Sequence, residues 1–158
     1  MRSKDEHERC TVADDSGLEL AQAVLASQPF SVLLGTRITA FGDGGATLEL
    51  DVRDELLQQN GYVHGGVLSY AADNALTFAA GSAVGPAVLT SGFSIEYLRP
   101  ASGPLLRARA ETLRVGRARV VCRCDLSSVG PEGEGSLCAV AQGTITVADR
   151  PQGAGPDA

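Results

Sequence analysis

With 158 residues, 44% of them apolar, and a net charge of −6, the chain has the size of one folded domain. It lacks the surplus of Lys and Arg that non-specific nucleic-acid binding needs to displace counterions. The longest apolar stretch, 67–80, is broken by Ser69, Asp73, Asn74 and Thr77 and falls short of the ~20 residues of a membrane span, and no apolar signal core follows the charged start. A cytoplasmic location, with neither nucleic acid nor membrane as partner, is therefore expected.

Residues 1–15 are strongly charged, and the tail 149–158, with Pro151, Gly153, Gly155 and Pro156, has almost nothing to bury. Both ends are expected to be disordered, flanking a single domain over 16–148. Within it, Ser16 is placed to cap a helix from about Leu18 to Leu33. Thr36 to Phe41 and Ala46 to Val52 alternate on either side of Gly42-Asp43-Gly44-Gly45 and read as a hairpin. A polar loop, Gln58 to Gly61, leads through His64-Gly65-Gly66 into a long apolar helix from about Gly66 to Ala80, which Gly81 and Gly85-Pro86 should end. Four strands follow, about Val88 to Tyr97, Leu105 to Val115, Arg117 to Ser127 and Leu137 to Val147. Helix, hairpin, buried helix and four strands predict an α+β domain in which one antiparallel sheet wraps a central helix.

Of the four cysteines, Cys10, Cys122, Cys124 and Cys138, only Cys122 and Cys124 are close, one residue apart. That is not the spacing of a zinc knuckle, and strand alternation puts both on an apolar face, so buried structural thiols and no metal site are expected.

Apolar residues nearly surround the long helix, which predicts its burial. Against that background Ser69, Asp73 and Thr77 stand at spacings of four, on one stripe. A buried carboxylate costs several kcal/mol unless it is paired, and this helix holds no Lys, Arg or His. Asp73 is either a structural cap or interface residue, or a carboxylate kept in a pocket as general base or nucleophile. At the helix start, Gly65-Gly66 leaves N–H groups unhindered at the positive end of the helix dipole, where an oxyanion or a polarised carbonyl could sit. Donors at the N-terminus and a carboxylate two turns on point to acyl transfer to water. His64 reads as a brace for the loop rather than as the base.

The run Asn60-Gly61-Tyr62-Val63-His64-Gly65-Gly66-Val67-Leu68, the Asp73-Asn74 pair and Phe93-Ser94-Ile95-Glu96-Tyr97-Leu98-Arg99-Pro100 resemble the PaaI-type hotdog-fold acyl-CoA thioesterases, relatives of 4-hydroxybenzoyl-CoA thioesterase. The likeness spans about residues 30–148. It implies a sheet-wrapped helix, homodimers or dimers of dimers with continuous sheets, and sites at the dimer interface. The Gly65 N–H would polarise the thioester carbonyl, and Asp73 of the partner subunit would attack it or activate water. Some branches of the family carry Glu at that position, which leaves nucleophile and general base both open. Thr77 matches a position that holds the water or the carboxylate. Gln58, six residues before His64, would orient the water or the leaving thiolate, with Asn60 as competing candidate. Gly66 belongs to the same donor loop, Thr90 with its neighbour Ser91 matches a hydroxyl lining the pocket, and Arg99 is a candidate nucleotide contact. Acyl-CoA is the implied substrate. No separate cofactor is implied, because coenzyme A is part of the substrate.

Seven of the thirteen basic residues lie between Arg99 and Arg123. Arg107, Arg109, Arg117, Arg119 and Arg123 are therefore either contacts for the coenzyme A phosphates or a solvated sheet face. Two other readings stand beside the thioesterase: a non-catalytic module binding acyl-CoA or another small ligand, and a hotdog hydratase or dehydratase, weakened by the lack of a second ordered histidine. Aromatic content of 4% with no Trp does not separate an aryl from a fatty acyl group.

Overall fold

The computed structural model describes residues 15–148. The two ends expected to be disordered lie outside the described residues, except Asp15, which is the first residue of a helix. The elements in chain order are α1 (Asp15–Ala26), α2 (Pro29–Leu34), β1 (Arg37–Gly42), β2 (Gly45–Asp51), a short 3-10 turn (Asp54–Leu56), α3 (Gly65–Val84), β3 (Val88–Tyr97), β4 (Leu105–Val115), β5 (Arg119–Val129) and β6 (Gly135–Val147). The strands form one antiparallel sheet in the order β1-β2-β4-β5-β6-β3, and α3 packs against all six. This is the α+β arrangement that the element order called for, one antiparallel sheet on a central helix, and the hotdog fold that the resemblance implied.

Several boundaries differ from the sequence reading, and two of the differences have a clear physical cause. The single helix expected over Leu18–Leu33 is two, α1 and α2. Pro29 disfavours helical geometry in the residue before it and has no N–H to continue the ladder, so it opens a new helix as its first residue instead. The long helix does not stop at Gly81 but runs on to Val84, and Gly85, with φ 98°, ends it. Gly81 costs the helix only its propensity, and tertiary packing carries it through, with Val88 Cγ2 3.8 Å from where its Cβ would be.

What holds α3 to the sheet is small residues meeting small residues. Ala71, Ala72, Ala75, Ala79 and Ala80 are buried on the helix, and Ala108, Ala110, Ala141, Cys122 and Cys124 lie on the facing strands. On β6, a Cβ on Gly143 would lie 2.7 Å from Phe93 Cβ of the neighbouring β3 and 3.2 Å from Leu76 Cδ1 of the helix. Larger side chains, Leu48, Leu50, Leu106, Leu126 and Ile145, fill the space to either side and are almost fully buried, each worth about 1.5–3 kcal/mol of transfer free energy.

The outer face of the sheet is a charge ladder. The register sets Glu49 opposite Arg107, Arg109 opposite Asp125 and Glu111 opposite Arg123. Arg107 Nε binds Glu49 at 2.7 Å and Arg123 binds Asp125 at 2.9 Å. Opposite charges directly across a ladder stabilise the pairing, so three of the five arginines singled out in the sequence are facing carboxylates. β1 and β3 form the two edges. α1 packs beside β1, whereas β3 is paired along one side only, by β6.

Two expectations follow. Gly143→Ala should destabilise the fold by about 1–3 kcal/mol, the cost of overpacking a tight core, read as a lower urea midpoint at unchanged slope. Burial pushes the Cys122 thiol up to about 11 and the Cys124 thiol up to about 12, and raises Cys138 as well. In a Cys10→Ser background, a thiolate-selective disulfide reagent at pH 8 should therefore leave all three unmodified in the native protein and react with all three in denaturant.

Candidate active site

α3 begins where the loop carrying Gln58 turns back on itself. Leu57 and Val63 form an isolated bridge, and the His64 N–H donates to Leu56 O at 2.8 Å. His64, in extended geometry, is the N-cap. Its Nδ1 accepts the Gly66 N–H at 2.8 Å, and its carbonyl accepts from Val67 and Leu68. An imidazole whose Nδ1 accepts carries its proton on Nε2 when neutral, so this His64 offers no free acceptor for a substrate proton. The cap also engages the Gly66 N–H and leaves that of Gly65 as the donor without an acceptor among the described residues.

Tyr97, the last residue of β3, closes over this first turn. Its hydroxyl donates to Gly65 O at 3.0 Å and lies 2.8 Å from Ser69 Oγ. The ring stands so near that a Cβ on Gly65 would lie 3.3 Å from the phenolic oxygen, a tight contact that glycine avoids. Gln58, Tyr62, Val63, Gly65, Leu68 and Tyr97, together with Leu98–Ala101, line a cleft of about 400 Å³. Of the two candidate amides of the loop, Gln58 is at the cleft; Asn60 is exposed, and its backbone N–H reaches toward Gln58 Oε1 at 3.4 Å. Arg99 lines the cleft mouth and donates from Nη1 to Ser136 Oγ at 3.2 Å.

Two turns along, Asp73 is half-buried. Thr90 of β3 donates its hydroxyl to Asp73 Oδ1 at 2.6 Å, and Thr77 Oγ1 lies 2.9 Å from both Thr90 Oγ1 and Asp73 O. Each hydroxyl has a single proton. With that of Thr90 on the carboxylate, Thr77 gives its own to Thr90 or to the backbone, and in the first case the two hydroxyls form a relay ending on Asp73. Ser91 is turned elsewhere, onto the Thr146 hydroxyl of β6. The three residues of the polar stripe thus all meet β3: Ser69 at Tyr97, Asp73 and Thr77 at Thr90.

One neighbouring network was not visible in the sequence. The Asn74 amide lies 3.1 Å from Tyr70 Oη and 3.2 Å from both Ser31 Oγ and Gln28 Oε1, while Tyr70 Oη reaches Ser31 at 2.7 Å and Thr36 at 2.8 Å. Phe30 packs edge-on against the Tyr70 ring at 5.2 Å. These groups tie α2 to the helix face adjoining Asp73. Among the described residues no cluster of His, Cys, Asp or Glu is placed to hold a metal ion, and no helix is long and apolar enough to cross a membrane.

The profile of the thioesterase superfamily matches residues 60–133, the stretch from the capping loop through the Asp73 helix and β3 into the β5–β6 turn. A thioesterase family protein from Silicibacter pomeroyi has a similar structure, at 30% identity and a TM-score of 0.77, over 81% of this chain and 95% of that one. The chain belongs to the thioesterase superfamily. Among curated relatives, the 1,4-dihydroxy-2-naphthoyl-CoA hydrolase of Listeria monocytogenes is 28% identical over 116 residues, covering 72% of this chain and 91% of the relative. The E. coli PaaI protein, from the phenylacetic acid degradation operon, shares the fold at 22% identity, with a TM-score of 0.73 over 85% of this chain and 95% of that one. Thioester hydrolysis is the chemistry to which this membership points.

The cap predicts its own test. His64→Ala should lower stability by about 1 kcal/mol, the usual worth of an N-cap, and His64→Asn should recover most of it. Urea unfolding of the three proteins measures both effects.

Proposed function

We propose that the protein hydrolyses an acyl-CoA thioester to the free acid and coenzyme A, in a site that two copies of the chain build together. The observation that carries this reading is the spacing of the two chemical groups on α3. Gly65 and Asp73 are eight residues apart, which on a helix rising ~1.5 Å per residue places them about 12 Å apart along the axis. A donor and a carboxylate at that distance cannot serve one carbonyl carbon. They can if a second copy supplies one of them.

The unpaired edge of β3 supports such an arrangement. A ten-residue edge strand is a template for pairing, and antiparallel pairing of β3 with the β3 of a second copy would extend the sheet across a two-fold axis. The two α3 helices would then lie side by side and antiparallel, with each N-terminus toward the middle of the other. In the reaction that follows, the Gly65 N–H of one copy stabilises the negative charge developing on the thioester oxygen. The Asp73 carboxylate of the other takes a proton from water as the water oxygen attacks the carbonyl carbon. Collapse of the tetrahedral intermediate breaks the C–S bond, and the departing thiolate takes the proton from Asp73. By the alternative route the carboxylate itself attacks and expels the coenzyme A thiolate, giving a mixed anhydride that water then hydrolyses to the free acid and the regenerated carboxylate, the thiolate taking up the proton released. Thr90 occupies Asp73 Oδ1 in either route and leaves Oδ2 for the reaction. Gln58, in the Gly65 cleft, is suited to orient the water or the thiolate.

For the coenzyme A phosphates, Arg107 and Arg123 are already paired. Arg99 at the cleft mouth, with Arg117 and Arg119 around the exposed β4–β5 hairpin, remain as candidates. The name of the Listeria relative carries an aromatic acyl group, so aromatic thioesters head the substrate panel.

Thiol release from aromatic and from short, medium and long aliphatic acyl-CoAs tests the proposal. Asp73→Asn should lower kcat by about 10²–10⁴-fold, the range of general acid–base contributions, with the oligomer unchanged by gel filtration. Thr90→Val should fall between it and wild type. Undiminished turnover in Asp73→Asn would remove the carboxylate from the mechanism. No turnover of any thioester by a folded wild-type oligomer would leave an acyl-CoA-binding module without catalysis.

A further inference from the structure

We propose that Tyr97 is a positioning residue for the oxyanion donor: its hydroxyl fixes the first turn of α3 so that the Gly65 N–H keeps its aim while charge builds on the substrate. The inference rests on the thioesterase reading above.

The first turn of a helix is its least secured part, because its N–H groups have no partners within the helix. Here the turn is held from two sides. His64 caps it from within the chain's own loop, through the Gly66 N–H. Tyr97 holds it from the sheet, through Gly65 O at 3.0 Å and Ser69 Oγ at 2.8 Å. A phenol has one proton; with it donated to the Gly65 carbonyl, the Ser69 hydroxyl must be the donor to Tyr97. The result is a directed chain, Ser69 to Tyr97 to Gly65, spanning the strand end and both ends of the helical turn. Ring contact with Gly65 adds a steric wall, since even a methyl group there would lie 3.3 Å from the hydroxyl oxygen. Because Tyr97 also lines the cleft into which Gly65 faces, the bond sits beside the bound carbonyl, where a shift of a few tenths of an ångström changes donor geometry most.

An interaction of this kind matters more in the transition state than in the ground state, since the oxyanion and not the neutral carbonyl demands the donor. Removing the hydroxyl should lower kcat and leave KM in place. The experiment compares wild type, Tyr97→Phe, Ser69→Ala and the double variant on the best thioester substrate, with Asp73→Asn as control. Tyr97→Phe should lower kcat about tenfold with KM within twofold; Ser69→Ala should lower it about threefold, and the double variant should be no worse than Tyr97→Phe. In ¹⁵N–¹H spectra of Tyr97→Phe the Gly65 and Ser69 amide signals should move while those of α3 beyond Thr77 stay. Wild-type kcat in Tyr97→Phe, an equal rise in KM, independent effects of the two substitutions, or an unchanged Gly65 signal would each overturn the assignment. With wild-type turnover lost in Asp73→Asn, those results leave the thioesterase reading standing. A wild type without turnover overturns both.

Discussion

The closeness of α3 to the sheet is the constraint on which the site depends. Helix and strands meet through alanines, two cysteines and Gly143, where side-chain bulk is nearly absent. Protein interiors pack as densely as organic crystals, so a helix seated this way has one position and one rotation. Its rotation sorts its residues among three surroundings. Ala72, Ala75, Leu76 and Ala79 are buried in the core, Tyr70 and Asn74 face the polar side chains of α2 and Thr36, and Ser69, Asp73 and Thr77 face Tyr97 and Thr90 of β3. The candidate site lies on the stripe that an edge strand covers, and an edge strand is the part of a sheet that a second molecule can reach.

A carboxylate half-withdrawn from water needs compensation, and the kind of compensation decides what it can do. An arginine would bind both oxygens in a planar fork and hold the charge in place. Asp73 has instead a single hydroxyl on Oδ1, whose partner Thr77 is one turn along the same helix. One oxygen is satisfied and the side chain is oriented, while the other oxygen stays available. The outer face of the sheet shows the opposite solution, with Glu49 and Asp125 each against an arginine; the first pair ties β2 to β4, and the second lies within β5.

Much of the fold can be read from the sequence because its signals are local. Val88–Tyr97 and Leu105–Val115 are bounded by Pro86 and Gly116 and alternate over much of their length, with one irregularity in each, and His64-Gly65-Gly66 marks the start of α3 to within a residue. The errors come where a local signal competes with packing. Pro29 outweighs the apolar periodicity that runs on from α1 into α2, and the burial of α3 outweighs Gly81. The spacing of Ser69, Asp73 and Thr77 reveals a stripe but not what covers it, because Thr90 is brought there by sheet pairing between β3 and β6. The irregularity between Thr90 and Gly92 accompanies the turn of the Ser91 side chain away from Thr90 and toward Thr146. Tyr97 lay within the strand-end motif, and the alternation Phe93, Ile95, Tyr97 already set it on the helix side. Its role was hidden because its partner is a backbone carbonyl, which no side-chain pattern records. Likewise, the arginines could not be divided between phosphate and ladder until the register of β4 and β5 was known.

Rigidity of α3 also limits how a functioning site can arise. A helix packed this tightly cannot bend to bring Gly65 toward its own Asp73, so no loop movement within one chain shortens the distance of about 12 Å set by the helical rise. In the proposed assembly the separation between donor and carboxylate is instead set by how two β3 strands align. Strand pairing changes only in steps of about 3.3 Å per residue, and a slip of one residue turns every side chain to the other face. A displacement of that size is larger than the tolerance of a hydrogen bond. The register of the β3 edge would therefore act as an all-or-none condition on catalysis. Tyr97 and Thr90 stand near the two ends of that strand, and each binds one half of the site. In that assembly the strand that aligns the two copies would also be the strand that holds the donor and the carboxylate in place.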